Sequence, residues 1–389
     1  MANTLTISSI AENIFRAKEQ IASEPTGFIQ SAIMNSGTEG ISLAGTVTSF
    51  RTAQPTLNTS YTPSMTLPDG DDQTITTDTF TIDQVANVRI PLKGETLKQL
   101  DNTVGGQLVL DSLLAQAIRK LRNTIEAHVG SVLKNSSSRA TGTAGTNPFA
   151  TNINPLADVR QILVDNGAPD DGDISLVINT SAGTKMRQIA NLYKVNEAGS
   201  PGLLRNGELT NLMGMSIKES AGVATHTKGA ATGVLINNAS TEAIGETTLT
   251  LDTITVNTTG ILAGDIVTHA SDSTNKYVVN TGLVATSGDI VIGSPGLKIA
   301  AANNDAVTIG NSYTANMAFH RGAVELAMRP PSQPYGGDAA VDRMTVADDK
   351  TGLVFEVALY KGYGMAVLDI TTFYKAKVWN PHLVATLLG

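Results

Sequence analysis

One stretch limits what this chain can become more than any other: Thr103 to Asn135, TVGGQLVLDSLLAQAIRKLRNTIEAHVGSVLKN. Val104, Leu108, Leu114, Ile118, Leu121, Ile125, Val129 and Val132 recur mostly three or four residues apart, which holds them on one face of a helix. Asp111, Gln116, Arg119, Arg122, Asn123 and Glu126 are expected on the wet side. With Asp101 or Asn102 as N-cap and Asn135 to Ser138 as the stop, about 30 residues at 1.5 Å each make a rod of roughly 45 Å. Charges spread along its length argue against a membrane span. Such a rod organises whatever folds around it, unless it is simply a long core helix of a large enzyme.

Outside this helix the chain reads as β-rich. Aromatic residues make up only 4% of the 389, while glycine numbers 36, which suits short strands and tight turns better than large aromatic cores. Before the helix, Ser9-Ile-Ala-Glu12 has capping-box spacing, and Ile10, Ile14, Ala17 and Ile21 form an apolar stripe ending at Ser23-Glu24-Pro25. Gly45 to Phe50 and Phe80 to Ile82 alternate as strands, and Val88, Ile90 and Leu92 resume the alternation after a shift at Val85. Between them lies a tip with Pro63, Pro68 and Asp69-Gly-Asp-Asp72, read as polar and Pro-rich. The whole is a long two-stranded excursion, and Phe80, Ile82 and their neighbours are expected to lack a local core, leaving a neighbouring subunit to cover them.

After the helix and a polar link, Ser136 to Thr151, comes an α/β unit. Asn154-Pro155 reads as a cap and an N1 proline for a helix carrying Leu156, Val159, Ile162 and Leu163 and ending at Asn166-Gly167. The turn Pro169 to Asp173 leads to a buried strand, Ile174 to Ile178, and Asn179 or Thr180 caps a second helix with Met186, Ile189, Ala190 and Tyr193. Asn206-Gly207 and Gly214 punctuate a loop and a strand ending near Ser220. From 230 to 312, six short runs recur about every ten residues: Leu249 to Val256, Asp265 to Thr268, Tyr277 to Val279, Asp289 to Ile292, Leu297 to Ala300, and Val307 to Ile309. That pattern suits a small inserted β-domain, and its seven acids against Lys276 and Lys298 carry −5 of the chain's net −8. Asn316 to Met328 reads as a buried strand, Gly352 to Val378 as strands turning at Lys361-Gly-Tyr-Gly364, and Leu383 to Leu388 as an apolar tail.

Motifs for chemistry are missing. The chain has no Gly-Lys dipeptide and so no Walker loop, and it lacks GxGxxG, GxSxG and HExxH. With no cysteine, disulfides, thiolate metal sites and a Cys nucleophile are impossible. His128, His226, His269, His320 and His382 each stand alone in sequence, and His128 reads as a structural histidine. Asp69 to Asp72 and Asp170 to Asp173 resemble fragments of calcium loops without the closing Glu and read as exposed acidic turns. Ser200-Pro201-Gly202 lies in a loop with no base nearby in sequence. No catalytic, cofactor-binding or metal-ligating residue is therefore nominated. A single Trp and scattered Lys and Arg argue against nucleic-acid binding. The N-terminal MANTLTISSIAENIFRAKE has neither the basic start nor the apolar run of a secretory signal, so a cytoplasmic origin is expected.

The order of pieces resembles the Hong Kong 97-like fold of tailed-phage major capsid proteins. Segments ADVRQILVDNGAPDDGDISLVINTSAGTKM (157–186), GELTNLMGMSIKES (207–220), NMAFHRGAVELAMRPP (316–331) and the TGLVFEVALYKGYG to WNPHLVATLLG ending look like those of coat proteins in the short-tailed Salmonella phage group, which also carries an inserted β-domain. The resemblance implies an α+β fold with an N-terminal arm (1–40), an extended loop (41–100) and a spine helix of a peripheral domain (101–149). An apical domain (150–229 and 313–335) would surround the inserted β-domain (230–312), with C-terminal strands (336–389) shared between peripheral and apical parts. It implies self-assembly as pentamers and hexamers into an icosahedral head enclosing DNA without sequence-specific binding. Portal and scaffolding or decoration proteins would be its partners. Neither cofactor nor membrane is implied, and the place of action would be the virion after assembly in the host cytoplasm. Two alternatives from other classes are a surface-layer or adhesin-type protein, disfavoured by the missing signal sequence, and an enzyme with a dispersed site.

Overall fold

The computed structural model describes residues 26–52, 57, 59, 61–66, 75–95, 98, 106–193, 211–239, 241–256, 258–347 and 351–389. The arm's stripe, the helix caps Asp101 and Asn102, the Asp69 to Asp72 turn, Ser200 to Gly202 and Asn206-Gly207 lie outside them.

The long helix runs Gly106–Asn135. Leu114, Ala117, Ile118, Leu121, Ile125, Val129 and Leu133 are all buried, so the 3.6-residue stripe turns inward as its spacing predicts. It lies against the inner face of a six-stranded sheet ordered Ile33–Ser36, Val324–Arg329, Met365–Val378, Val354–Lys361, Ala340–Ala347, with Gln84–Lys93 along the remaining edge of Met365–Val378. Ala86, Ile90, Leu92, Leu368, Ile370 and Ala376 meet the helix in one core. His128 on this face accepts the Ala376 N–H at 3.4 Å and stands edge-on to Tyr374. Burial, reinforced by Lys375, pushes its pKa down, as suits a neutral structural histidine.

A second, twelve-stranded sheet holds the α/β unit and the region 230–312. Its order is Ser216–Glu219, Ile174–Ile178, Tyr313–His320, Val384–Leu388, Arg139–Gly142, Asp272–Thr281, Gly288–Ile292, Thr248–Asp252, Leu235–Ile236, with Ile266–His269 linking Asp272–Thr281 to Val307–Ile309. The apolar tail is thus a central strand, antiparallel to Tyr313–His320 and parallel to Arg139–Gly142. Helices Asn154–Asp165 and Thr180–Arg187 cover one face through Leu156, Val159, Leu163 and Met186. Residues 230–312 have their own core around Leu249, Leu251, Val267, Tyr277, Val279, Ile290 and Ile292. They meet the body through a short strand pairing, Lys276 to Ala140 and Tyr277 to Arg139, through Ile266 and Val278, which belong to the main core, and through the Val278 N–H to Ser138 O bond.

Several local expectations shift. Asn154 is the first helical residue rather than the cap, and its N–H is taken by Asn152 Oδ1 at 3.0 Å. Leu297 to Ala300 form no strand, because Gly296 at φ +85° turns the chain just before them, whereas Leu235–Ile236 do. Asn316 to Met328 is two strands parted by a 3₁₀ turn at Arg321–Ala323, where His320 Nδ1 accepts the Gly322 N–H. No described helix is long and apolar enough to cross a membrane.

Candidate assembly surface

Any chemistry would need the titratable groups of the interior. Asp265 is completely buried and accepts from Gly229 N (2.9 and 3.1 Å), Leu262 N (2.7 Å) and His226 Nε2 (2.8 Å). With the carboxylate accepting, Nε2 carries the ring proton, and Nδ1 is left to take Lys134 Nζ at 3.2 Å. Burial pushes the Lys134 ammonium below its ordinary value, with Asp265 opposing. Tyr277 donates to Asp272 at 2.6 Å and accepts from Lys298 N, and burial together with Asp272 pushes its pKa up to about 12. Burial alone would raise Asp272, but donors from Asn275, Tyr277 and Thr274 outweigh it and hold the carboxyl low. Asp305 accepts from Ala302 N and Ser271 N and faces His269 at 3.3 Å, and Glu242 accepts from Thr250 N. The acids of 230–312 that sequence reads as a lopsided charge therefore include four engaged in holding loop backbone. Three histidines that stand alone in sequence, His226, His269 and His320, each meet a carboxylate.

Asp171, Asp173 and His320 converge closely enough to be considered for a metal. The hydrogen bonding speaks against it. His320 Nδ1 already accepts the Gly322 N–H, so the proton sits on Nε2, which points at Asp171 at 3.1 Å as a donor. An acidic turn bridged to a histidine is what the geometry provides.

Glu126 overturns its sequence assignment. Expected on the wet side, it is 1% exposed. Its Oε1 accepts from Gly27 N (2.6 Å), Phe28 N (2.8 Å) and Ser220 Oγ (2.7 Å), and Oε2 from Ile29 N (2.9 Å), so four donors satisfy one buried carboxylate. The segment it grips, with the short helix Phe28–Ser31, lies in a socket where a Cβ at Gly130 would come within 2.8 Å of the Phe28 ring. No local sequence pattern announces this contact, because the donors that Glu126 meets lie 94 to 99 residues away along the chain.

The strand excursion is present as a two-stranded ribbon, Thr46–Thr52 antiparallel to Ile75–Thr81 over seven residue pairs. Its root corrects the expectation that Phe80 and Ile82 lack a local core. Val47, Phe80 and Ile82 are buried against Ala327, with Ile41, Phe373 and Trp379 packed beside them, and Phe80 meets Trp379 edge to face at 5.6 Å. The chain's own sheet covers the root. Farther out, Leu57 and Tyr61 are 82% and 93% exposed and Met65 is fully exposed. Read as polar and Pro-rich, this region also carries exposed apolar residues at every fourth position, 57, 61 and 65. They stand among the most exposed large apolar residues described, with Tyr335 and Tyr363.

No family model matches the chain, and no curated protein matches it. Among solved structures it is similar to a chain of Mycobacterium phage Che8 (14% identity, 94% of this chain and 92% of that one, TM-score 0.47). It is also similar to one in the capsid of the cyanophage P-SCSP1u (13%, 94% and 88%, TM-score 0.49) and one in a virus-like particle from Pyrococcus furiosus (8%, 97% and 96%, TM-score 0.42).

Proposed function

We propose that this chain is a structural shell subunit, a major capsid protein of Hong Kong 97-like fold. It self-assembles as pentamers and hexamers into an icosahedral phage head around double-stranded DNA. The observation that carries this reading is the ribbon: firmly rooted on its own subunit through Phe80 and Trp379, it ends in bare Leu57, Tyr61 and Met65. A second copy is the partner a repeating shell supplies. The segments 157–186, 207–220 and 316–331 that resemble phage coat proteins support the same conclusion. So does the net charge of −8, because a container wall should not grip its own nucleic-acid contents. Portal, scaffolding or decoration proteins are further partners under this proposal, and the virion is the place of action. An enzymatic role is not proposed, since the buried acid-histidine pairs are occupied with backbone and with one another. Sedimentation and negative-stain microscopy of the purified chain test the proposal. Closed shells of uniform diameter are expected. Planar sheets would favour a surface-layer protein, and small discrete particles under all assembly conditions would contradict the shell reading.

A further inference from the structure

Glu325 sits on Val324–Arg329 with 6% of its surface exposed, and its two oxygens face different parts of the molecule. Oε1 accepts Asn35 Nδ2 at 2.6 Å, from the first described strand, Ile33–Ser36. Oε2 accepts Trp379 Nε1 at 2.7 Å, from the residue that backs Phe80 at the ribbon root. The Asn35 amide has its orientation fixed, since Arg329 donates to both its carbonyl oxygens, Oδ1 at 2.8 Å and the backbone oxygen at 2.5 Å. The indole has Lys377 Nζ 4.0 Å above its ring, and the Trp379 backbone N–H donates to Ala323 O. Between the first strand and the ribbon strand Thr46–Thr52 lies a polar cleft of about 280 Å³, lined by Asn35, Glu39, Thr46, Thr48 and Arg329.

We propose that Glu325 is a mechanical coupler: seating of the first strand fixes the carboxylate, the carboxylate fixes the Trp379 indole, and the indole fixes the ribbon root. If Asn35 withdraws, a buried carboxylate keeps a single neutral donor and reorients to regain a partner, which takes it off Nε1 and frees the indole. Phe80 then loses a held partner. The covalent tether 37–45, pinned by Gly37 N to Met328 O and Ile41 N to Pro330 O, is the competing route, and the test must separate the two. The coupling belongs to the single subunit and stands whether or not the shell proposal does.

The test uses the full chain, unassembled, in the variants Asn35→Ala, Trp379→Phe and the two combined. Hydrogen exchange is followed in 46–52 and 75–81, with exchange in Gly106–Asn135 as the check that each variant is folded. Asn35→Ala should speed exchange across the ribbon on the order of tenfold and shift the emission of the chain's single tryptophan. In the Trp379→Phe background, where the Nε1 bond is already gone, Asn35→Ala should add nothing to ribbon exchange. Asn35→Asp, which keeps the size but sets a carboxylate against Glu325, should reproduce the Asn35→Ala result if the alanine variant folds poorly. Faster exchange confined to 33–36, or an equal ribbon increment with Trp or Phe at 379, would overturn the proposal.

Discussion

The region 230–312 and the ribbon Thr46–Thr81 are both built from antiparallel strands, yet their stabilisation comes from opposite sources. The first has a core of its own, and its carboxylates Glu242, Asp265, Asp272 and Asp305 accept from backbone N–H groups within or directly beside it. Among the described residues the ribbon strands bury Val47 and Phe80, with Ile82 just beyond them, on a surface supplied by the body. A two-stranded ribbon is marginal alone. The difference teaches where each element's order comes from: internal carboxylates in one case, a docking surface in the other.

The largest effect expected from that contrast is at Asp265. Asp265→Ala removes one buried charge and strands Gly229 N, Leu262 N and His226, which should cost about 3–5 kcal/mol. Urea denaturation measures it, and a loss under about 1 kcal/mol would mean that the carboxylate is dispensable and the contrast overstated. Phe80→Ala should cost about 3 kcal/mol, but locally. Exchange in 46–52 and 75–81 should rise steeply while the global unfolding midpoint barely moves. A global loss of that size would place the ribbon inside the cooperative body.

A smaller effect tests the internal network by pH. The Tyr277 phenol is raised from 10.0 to about 12 in the fold, so the folded state favours the protonated form. Its stabilisation is whole below pH 10 and is lost as pH rises through about 12, by at most about 3 kcal/mol. Asp272 is shifted the other way, downward, so its contribution is present above the ordinary carboxylate range and is lost as pH falls through its lowered value. Tyr277→Phe should flatten the alkaline arm of the stability curve, and an unchanged arm would assign that loss to another group.

What was legible in the sequence is what repeats. The helix followed from its apolar stripe, and the Ile174–Ile178 strand and the C-terminal strands followed from theirs, because burial of a face imposes a period. Ala340–Ala347 lies within the C-terminal strands expected over 336–389, but no alternation locates it, because Asp342 and Arg343 interrupt the pattern and Arg343 pairs with Glu356 on the neighbouring strand. Glu126 and Glu325 were illegible for a different reason: a carboxylate's partners here are backbone N–H groups and an indole some 50 to 100 residues away, and no local pattern announces them. The ribbon was read correctly as an excursion and wrongly as bare at its root, since the covering residues, Ala327, Phe373 and Trp379, come from the far end of the chain.

The smallest expected effect on stability belongs to the most direct test of the central claim. Leu57→Ser, Tyr61→Ser and Met65→Ser together replace the exposed apolar side chains of the ribbon and touch no buried cluster. Thermal unfolding of the unassembled triple variant should match that of the parent within about 0.5 kcal/mol, as surface substitutions usually do. The same preparations are then taken through assembly conditions and followed by sedimentation and electron microscopy. If the ribbon is the clasp between subunits, the parent forms regular closed shells and the variant stays dispersed or yields irregular particles. Regular closed shells from the triple variant would contradict the account.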